Sequence, residues 1–206
     1  MAKVAPGYRG ELHFAGLMAE AALFMGGAAL FLKDVRPWEW LLVPAGLLFA
    51  NAVEWFIHRG PLHHPTPPRM LYNRHTLLHH AAFTADDMSV HDWRELRVVL
   101  FPLFALPLLQ VVVSPAVVLV FWLGGRNAAA LFVFTATFYY LLYELLHLAY
   151  HLPLDHPVAR LEIIKRLKRH HQRHHNQRRM TAGNFNVSIP FFDWVMGTIL
   201  KDELPS

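Results

Sequence analysis

The sequence predicts an all-α protein, an integral membrane bundle of about four transmembrane helices with a helical cap on one side. Two observations predict this fold. Hydrophobic residues make up 54% of the 206 positions while charged residues make up only 17%, against about 25% in ordinary soluble domains. The charged residues are also unevenly spread, so that long uncharged stretches remain, and a spanning helix needs about 20 mostly apolar residues.

Four stretches meet this requirement, and together they predict one membrane domain over residues 1–206. The predicted spans cover about residues 12–32, 38–57, 98–123 and 128–148. In the third span, Ser114-Pro115 is expected to break or kink the helix because proline removes a helical hydrogen bond. This span is therefore either one bent pass or two shorter segments. The linker 124–127, with the sequence Gly-Gly-Arg-Asn, predicts a tight turn before the fourth span.

The basic residues predict the orientation of these spans. Sixteen of the 19 lysine and arginine residues, including Lys3 and Lys201, lie at the two ends of the chain or in the loop after the second span. Because basic residues accumulate on the cytoplasmic side of a membrane, both termini are predicted to be cytoplasmic. The cytoplasmic cap then comprises residues 58–97 and 152–206. Within it, residues 160–175 predict a basic amphipathic helix.

The composition also excludes several classes of site. The chain has no cysteine, which excludes disulfides, thiolate catalysis and cysteine-ligated zinc or iron–sulfur sites. A nucleic-acid interface needs basic residues interleaved with exposed aromatic residues. Here the aromatic residues lie mostly in apolar stretches, so no nucleic-acid partner is expected, and the basic surface is interpreted as one that flanks the membrane.

Histidine is unusually abundant, with 15 residues, of which 14 lie at or after His58. Ten of them fall in four clusters: after the second predicted span, in the middle loop, at the end of the fourth span, and in the C-terminal segment. All four clusters lie on the same predicted side of the membrane and can therefore converge. The ten candidate metal ligands are His58, His63, His75, His79, His80, His147, His151, His171, His174 and His175.

The spacing within the clusters predicts how the ligands are shared. Residues four apart lie on one face of a helix, so His147 and His151 are predicted to reach one ion, as are His75 and His79. An adjacent histidine, such as His80, points about 100° away and reaches a second ion. Ten imidazoles are too many for one ion and predict two ions with about five ligands each. Imidazole suits both iron and zinc.

Three further side chains are candidates to support the ligands, namely Glu54, Glu144 and Asn184. Either glutamate can accept a hydrogen bond from the outer nitrogen of a metal-bound imidazole and fix its tautomer. Direct metal ligation or a role in helix packing are the alternatives. The roles of four histidines near the clusters are left open, and these are His64, His91, His156 and His170.

These motifs resemble the fatty acid hydroxylase superfamily of membrane di-iron proteins, which includes sterol desaturases and lipid hydroxylases. Residues 58–63 resemble its His-x-x-x-x-His box, residues 147–151 its His-x-x-x-His box, and residues 171–175 its final His-x-x-His-His box. Residues 184–198 are similar to a C-terminal stretch that ends in Asp…Gly-Thr. Two departures are the extra residue between His75 and His79 in the second box, and Asn186 in place of a glycine that many members have.

The resemblance implies a four-helix membrane bundle with a cytoplasmic cap and two non-haem iron ions, which zinc can replace in a purified sample. It also implies O2 as co-substrate and attack on an unactivated C–H bond of an acyl chain or related lipid, with no catalytic residue beyond the metal ligands. No cytochrome b5-like domain is attached, so a separate electron donor is expected, such as a cytochrome b5, a ferredoxin or a reductase. A location in a bacterial inner membrane is expected.

Three other functions remain as alternatives to this lipid hydroxylase. A lipid desaturase uses the same chemistry, and the ligands do not separate the two outcomes. A divalent-metal transporter or sensor would place its ligands near the middle of the bilayer, whereas these histidines lie at helix ends and in loops. A zinc-dependent hydrolase needs only three protein ligands and a bound water.

Overall fold

The protein is described by a computed structural model over residues 6–200, and this range contains helices and loops but no β-strand. The two termini that are predicted to be cytoplasmic, with Lys3 and Lys201, lie outside the described residues. The predicted all-α fold class is confirmed. The α-helices of the described range are α1 (Gly10–Leu30), α2 (Leu42–Ile57), α3 (Met70–Tyr72), α4 (His80–Ala82), α5 (Leu96–Val99), α6 (Ala105–His151), α7 (Glu162–His174) and α8 (Phe191–Val195).

Shorter turns of other helical types connect or extend these helices. Three are 3₁₀ turns, at Pro37–Leu41, Trp93–Glu95 and Val158–Arg160. Two are π-helical segments, at His58–Leu62 and Asn73–His79. The π-helix is rare and is frequently found at functional sites, and both segments here carry histidines of the predicted clusters.

Three helical segments of the described residues are long and apolar enough to cross a membrane. They are Gly10–Leu30, Pro37–Leu62 and Ala105–His151. The third has 47 residues, which as a straight helix would be about 70 Å long, more than twice the roughly 30 Å hydrocarbon core of a bilayer. These apolar helices are those of a membrane protein, whereas the predicted number of four spans remains a prediction.

Helix α6 is interrupted at Gly125, where the backbone has φ 80° and ψ −171°. This left-handed region is accessible to glycine because it has no Cβ atom. The interruption falls inside the turn predicted at residues 124–127. Two helices are therefore joined at Gly125, and the first of them begins at Ala105, after the bend that contains Pro102.

Of the two alternatives at Ser114-Pro115, a break is contradicted because α6 continues through Pro115, whereas a kink remains a prediction. Proline has no N–H, so the carbonyl four residues earlier, that of Val111, loses its usual helical donor. The hydroxyl of Ser114 donates to this same carbonyl at 2.8 Å. The side chain thus replaces the missing backbone hydrogen bond, which explains why the helix tolerates the proline.

The chain folds into two compact units. Of the described residues, the first unit contains 6–10, 51–100 and 143–200, and the second contains 11–50 and 101–142. The predicted single membrane domain over residues 1–206 remains a prediction. All ten candidate metal ligands belong to the first unit, so the whole candidate site lies within that unit.

Two features of the individual units bear on the sequence predictions. In the second unit, His13 is buried and its Nε2 lies 2.9 Å from the carbonyl oxygen of Phe101. In the first unit, the predicted amphipathic helix corresponds to α7, which buries Ile164 and exposes Arg166 and Arg169. The same helix buries His171 and His174, so its inner face is also its ligand face.

Candidate metal centre

The ten predicted ligands come together as two separate groups of five buried histidines. Within each group, each residue offers one nitrogen, and these nitrogens all lie within 4.8 Å of one another. The first group consists of His58, His63, His75, His80 and His174, and the second group consists of His79, His147, His151, His171 and His175. The structure thus brings together every histidine that the box spacing selects, and either group could hold a metal ion.

Two π-helical segments place histidines five residues apart on the same face. His58 is the first residue of the segment His58–Leu62 and His63 directly follows it, and their rings stack at a centroid distance of 5.1 Å. In the second segment, the N–H of His80 donates to the carbonyl of His75, which is the five-residue step of a π-helix. The Nε2 atoms of these two residues lie 3.1 Å apart.

This geometry corrects the prediction that His75 and His79 share one ion. They lie in different groups, His75 in the first and His79 in the second. The prediction assumed an α-helix, in which residues four apart share a face. The wider π turn brings His80 into the group of His75 instead. By contrast, His147 and His151 lie on the regular helix α6 and share the second group, as predicted.

Backbone carbonyls fix the orientation of five of the ten imidazoles. Because a carbonyl can only accept, each of these rings carries its proton on Nδ1 and presents the lone pair of Nε2 to the interior of its group. The Nδ1–H donors and their acceptors are His58 to Phe185, His79 to Val98 at 3.2 Å, His151 to Met88 at 2.7 Å, His174 to Gly183 at 3.0 Å and His175 to Phe83 at 2.6 Å.

In the second group, this arrangement makes two lone pairs face each other. Both His79 and His175 donate their Nδ1–H to a carbonyl, so in their neutral forms neither Nε2 has a proton. These two Nε2 atoms nevertheless lie 3.1 Å apart. The Nε2 of His151 is also buried and has no hydrogen-bond partner. Acceptors at such a distance need a cation or a proton between them.

The first group contains an equivalent pair. Thr76 donates its hydroxyl proton to the carbonyl of Leu62 at 2.7 Å, so its oxygen accepts the Nδ1–H of His63 at 3.2 Å. The Nε2 of His63 therefore carries a lone pair, as does that of His174, and the two atoms lie 2.9 Å apart. Each group thus has one pair of facing acceptors.

These distances fit a shared metal ion. Metal–imidazole bonds are about 2.0–2.1 Å long for zinc, so two nitrogens bound at right angles to each other lie about 3.0 Å apart. Six nitrogen pairs within the two groups are 2.8–3.1 Å apart. Imidazole is a suitable ligand for iron and zinc, and the donor set therefore fits a transition-metal ion in each group.

The sequence of the chain matches a known protein family over the region that contains the site. A sequence model of the family described as fatty acid hydroxylase matches residues 43–198. The match covers three-quarters of the chain and includes all ten histidines of the two groups. The chain belongs to the fatty acid hydroxylase family. The search of curated proteins gave no match.

The fold of the chain is also similar to a solved structure. That structure is described as full-length scs7p in which only the hydroxylase domain is visible. The TM-score is 0.60 at 21% sequence identity, and the match covers 96% of this chain and 69% of the other. At this level of identity the similarity supports the fold.

Two buried phenylalanines shield the histidine groups. The ring of Phe185 lies 6.0 Å from that of His58 and 5.9 Å from that of His174. The ring of Phe83 lies 4.5 Å from that of His151. The carbonyls of the same two phenylalanines accept hydrogen bonds from His58 and His175, so each residue orients one ligand with its backbone and covers ligands of the same group with its ring.

Burial determines the protonation of the imidazoles in the cap. Desolvation, followed by the charge of His174, lowers the pKa of His63 to about 2. Desolvation also lowers the pKa of His174 to about 4, against the opposing effect of its hydrogen bond to Gly183. The pKa of His80 is lowered by burial and by His175. These imidazoles are therefore neutral at physiological pH, which is the form that binds metals.

The metal-free protein is expected to lose stability as the pH falls below about 6.5. In the unfolded chain these histidines bind protons near pH 6.5, whereas the folded pKa values lie lower, so acid favours the unfolded state. Each such imidazole contributes up to about 1.4 kcal/mol per pH unit over this window. Thermal unfolding of metal-free protein in detergent at pH 7.5 and 5.5 checks this, and equal midpoints would contradict it.

The three supporting candidates are all buried in the first unit, and two of them bind the chain segment after α7. Glu54 accepts hydrogen bonds from Val187 and Ser188. Asn184 donates to the carbonyl of His170 and accepts from the N–H of Leu200. These contacts hold the segment in place, and the segment in turn supplies carbonyls to the ligands.

Glu144 is completely buried. Burial and Arg97 lower the pKa of Arg74, and the charge of Glu144 acts against this lowering. Glu144 thus interacts electrostatically with Arg74, the residue that directly precedes His75.

The remaining histidines of the cap lie outside both groups. His64 is exposed, and His91 is exposed and pairs with Asp87 at 3.0 Å. His156 accepts a hydrogen bond from the N–H of Val158. His170 is buried and donates to Asp193 at 3.2 Å.

Two supporting residues were missed by the sequence analysis. Thr76 lies inside the second histidine box, between His75 and His79, and its hydroxyl sets the tautomer of His63. In the sequence, Asp193 stands out only as part of the C-terminal Asp…Gly-Thr stretch. The threonine has no distinguishing spacing, whereas the acidic residue of that stretch could have been singled out as a candidate.

Proposed function

We propose that this protein is an oxygen-dependent di-iron hydroxylase that acts on an unactivated C–H bond of a lipid. The observation that carries the proposal is the pair of facing lone pairs in each histidine group, at 2.9 Å between His63 and His174 and at 3.1 Å between His79 and His175. A buried cation in each group removes this repulsion. Membership of the fatty acid hydroxylase family supports the reaction type.

The placement of the ligands supports a lipid substrate. His58 lies near the end of the apolar segment Pro37–Leu62, and His147 and His151 lie at the end of Ala105–His151. A site at the ends of membrane-spanning helices is accessible to a substrate that is dissolved in the bilayer. An acyl chain or related lipid is therefore the substrate class that we propose.

The residues of the site orient the ligands and keep water away from them. The carbonyls of Val98, Met88 and Phe83 hold three imidazoles of the second group with Nε2 directed inwards. A preorganised, water-excluded site requires little reorganisation during reaction. No charged side chain belongs to either group of five, so both sites present neutral ligands.

When bound, the two iron ions supply the chemistry that reduces O2 and oxidises the C–H bond. The balanced reaction converts one C–H bond, one O2, two electrons and two protons into one C–OH group and one water. The two electrons come from a separate donor protein of the cytochrome b5, ferredoxin or reductase type. We also propose that the site and both termini face the cytoplasm, in agreement with the distribution of basic residues.

The proposal is tested with iron-loaded protein in lipid vesicles, a chemical or enzymatic electron source, and ¹⁸O2. The expected product is a lipid 18 Da heavier than its precursor, against 16 Da with ordinary O2. Omission of O2 is expected to abolish the product. A product 2 Da lighter than the precursor would indicate a desaturase instead.

The matched control for this assay is a protein with His63→Ala and His79→Ala, which removes one ligand from each group. It is expected to form no product under the same conditions. Equal turnover by this variant, or turnover without O2, would contradict a reaction that depends on the two groups.

A further inference from the structure

The chain segment after α7 supports the first histidine group through its backbone. The carbonyl of Gly183 accepts the Nδ1–H of His174, and the carbonyl of Phe185 accepts that of His58. Two of the five imidazoles in the first group are thus oriented by two residues of one irregular segment. The position of these carbonyls depends on whatever holds that segment in place.

Asp193 holds this segment in place through hydrogen bonds to its carboxylate. Its side chain is completely buried. One carboxylate oxygen accepts the N–H of Phe185 at 3.0 Å and the hydroxyl of Thr198 at 2.7 Å. The other accepts the N–H of Asn186 at 2.8 Å and Nε2 of His170 at 3.2 Å. One side chain therefore binds four donors from three parts of the chain.

Two of these four donors act directly on the ligand geometry. The peptide units on either side of Phe185 donate to Asp193 through the N–H groups of Phe185 and Asn186. Because the peptide bond is planar, fixing the N–H of Asn186 fixes the direction of the Phe185 carbonyl to which it is joined. That carbonyl is the acceptor for His58.

The second group is supported by a different part of the chain. Its carbonyl acceptors are Phe83, Met88 and Val98. All three belong to the stretch 83–98, which is far from Asp193 in sequence. The four donors to the Asp193 carboxylate include none of these residues. The two groups therefore have separate backbone supports.

We propose that Asp193 is a positioning residue for the first metal group alone, so that the two metal sites can be weakened independently. It acts on His58 through the Phe185 carbonyl. It acts on His174 indirectly through Thr198, whose hydroxyl donates to Asp193 and whose carbonyl accepts the N–H of Asn184, in the same peptide unit as the Gly183 carbonyl. The inference rests on the proposed function, since it presupposes that both groups bind metal.

Asn is the informative replacement because it keeps the shape of Asp and removes one acceptor. The NH2 group of the new amide can only donate, so it opposes either the pair Phe185 N–H and Thr198 hydroxyl or the pair Asn186 N–H and His170. Loss of a residue that orients a metal ligand typically weakens metal binding by about 10- to 100-fold. Asp193→Asn is thus expected to weaken the binding of one of the two metal ions at least tenfold.

The experiment is a Zn²⁺ titration of full-length metal-free protein in detergent, in competition with a chelator. Wild-type protein is expected to bind two equivalents, and Asp193→Asn is expected to bind one as tightly as wild type and one at least tenfold more weakly. The matched control is Asp86→Asn, the same chemical change at an exposed residue of the other supporting segment. It is expected to bind both equivalents like wild type.

To identify which site is affected, Asp193→Asn is combined with a variant that weakens one group, either His151→Ala in the second group or His63→Ala in the first. Asp193→Asn is expected to weaken the remaining strong site at least tenfold with His151→Ala and by less than twofold with His63→Ala. Equal weakening in both backgrounds, as from a general loss of folding, overturns the inference, as does unchanged binding. A wild-type protein that binds no zinc would contradict the proposed function itself.

Discussion

Replacing His79 with alanine is expected to reduce the metal content from about two ions per chain to about one and to cause a large loss of lipid oxidation. His79 is central to the second group, because its Nε2 lies 3.1 Å from the Nε2 atoms of both His175 and His147. Its removal deletes a ligand and leaves the carbonyl of Val98 without its donor. Since loss of a group that merely orients a ligand costs about 10- to 100-fold, turnover should fall by at least about 100-fold.

The measurement combines elemental analysis of the purified variant with the oxygen-dependent product assay. His91→Ala is the matched control, because His91 is exposed and lies outside both groups. The control is expected to keep both metals and full turnover. Retention of two ions by His79→Ala would show that the second group does not bind metal through this residue.

Replacing Gly183 with alanine is expected to destabilise the protein by about 3 kcal/mol, at the upper end of the usual cost of overpacking. A Cβ atom at this position would lie 2.1 Å from the carbonyl oxygen of Thr198 and 3.1 Å from the side chain of Leu200. The carbonyl cannot move freely, because it accepts the N–H of Asn184 at 2.9 Å. The segment must therefore shift, and the Gly183 carbonyl that orients His174 shifts with it.

Thermal unfolding in detergent measures this effect, and metal analysis should show loss from the first group. Gly26→Ala is the matched control, since nothing lies within 4 Å of the position that its Cβ would occupy. Gly26 lies inside α1, where alanine is favoured over glycine by about 0.5–1 kcal/mol. The control should therefore be unchanged or slightly more stable, and an equal loss of stability in both variants would refute the steric explanation.

The ligand set illustrates what sequence spacing can predict. The spacing His147-x-x-x-His151 lies on a regular α-helix, so the prediction of a shared group follows from helical periodicity and agrees with the structure. The spacing between His75 and His79 is identical, but the local helix is of the π type. Periodicity therefore selected histidines that join the two groups in both boxes, and it assigned the wrong partner in one.

Helix α6 likewise contains one feature that the sequence predicts and one that it does not. The turn at residues 124–127 was predictable because two consecutive glycines favour a left-handed backbone, and the interruption lies at Gly125. At Ser114-Pro115 the rule about proline predicts either a break or a kink. The helix does not break there, and a serine hydroxyl one residue earlier supplies the missing donor to Val111.

The sequence by itself determined the all-helical membrane class and the identity of the ten histidines, because both depend on residue type and on local spacing. Only the tertiary structure decided how the ten divide into two groups and what orients them. The acceptors at Phe83, Val98 and Phe185 are backbone carbonyls, and every residue has one. Their selection depends on how distant segments pack, which no local pattern of side chains encodes.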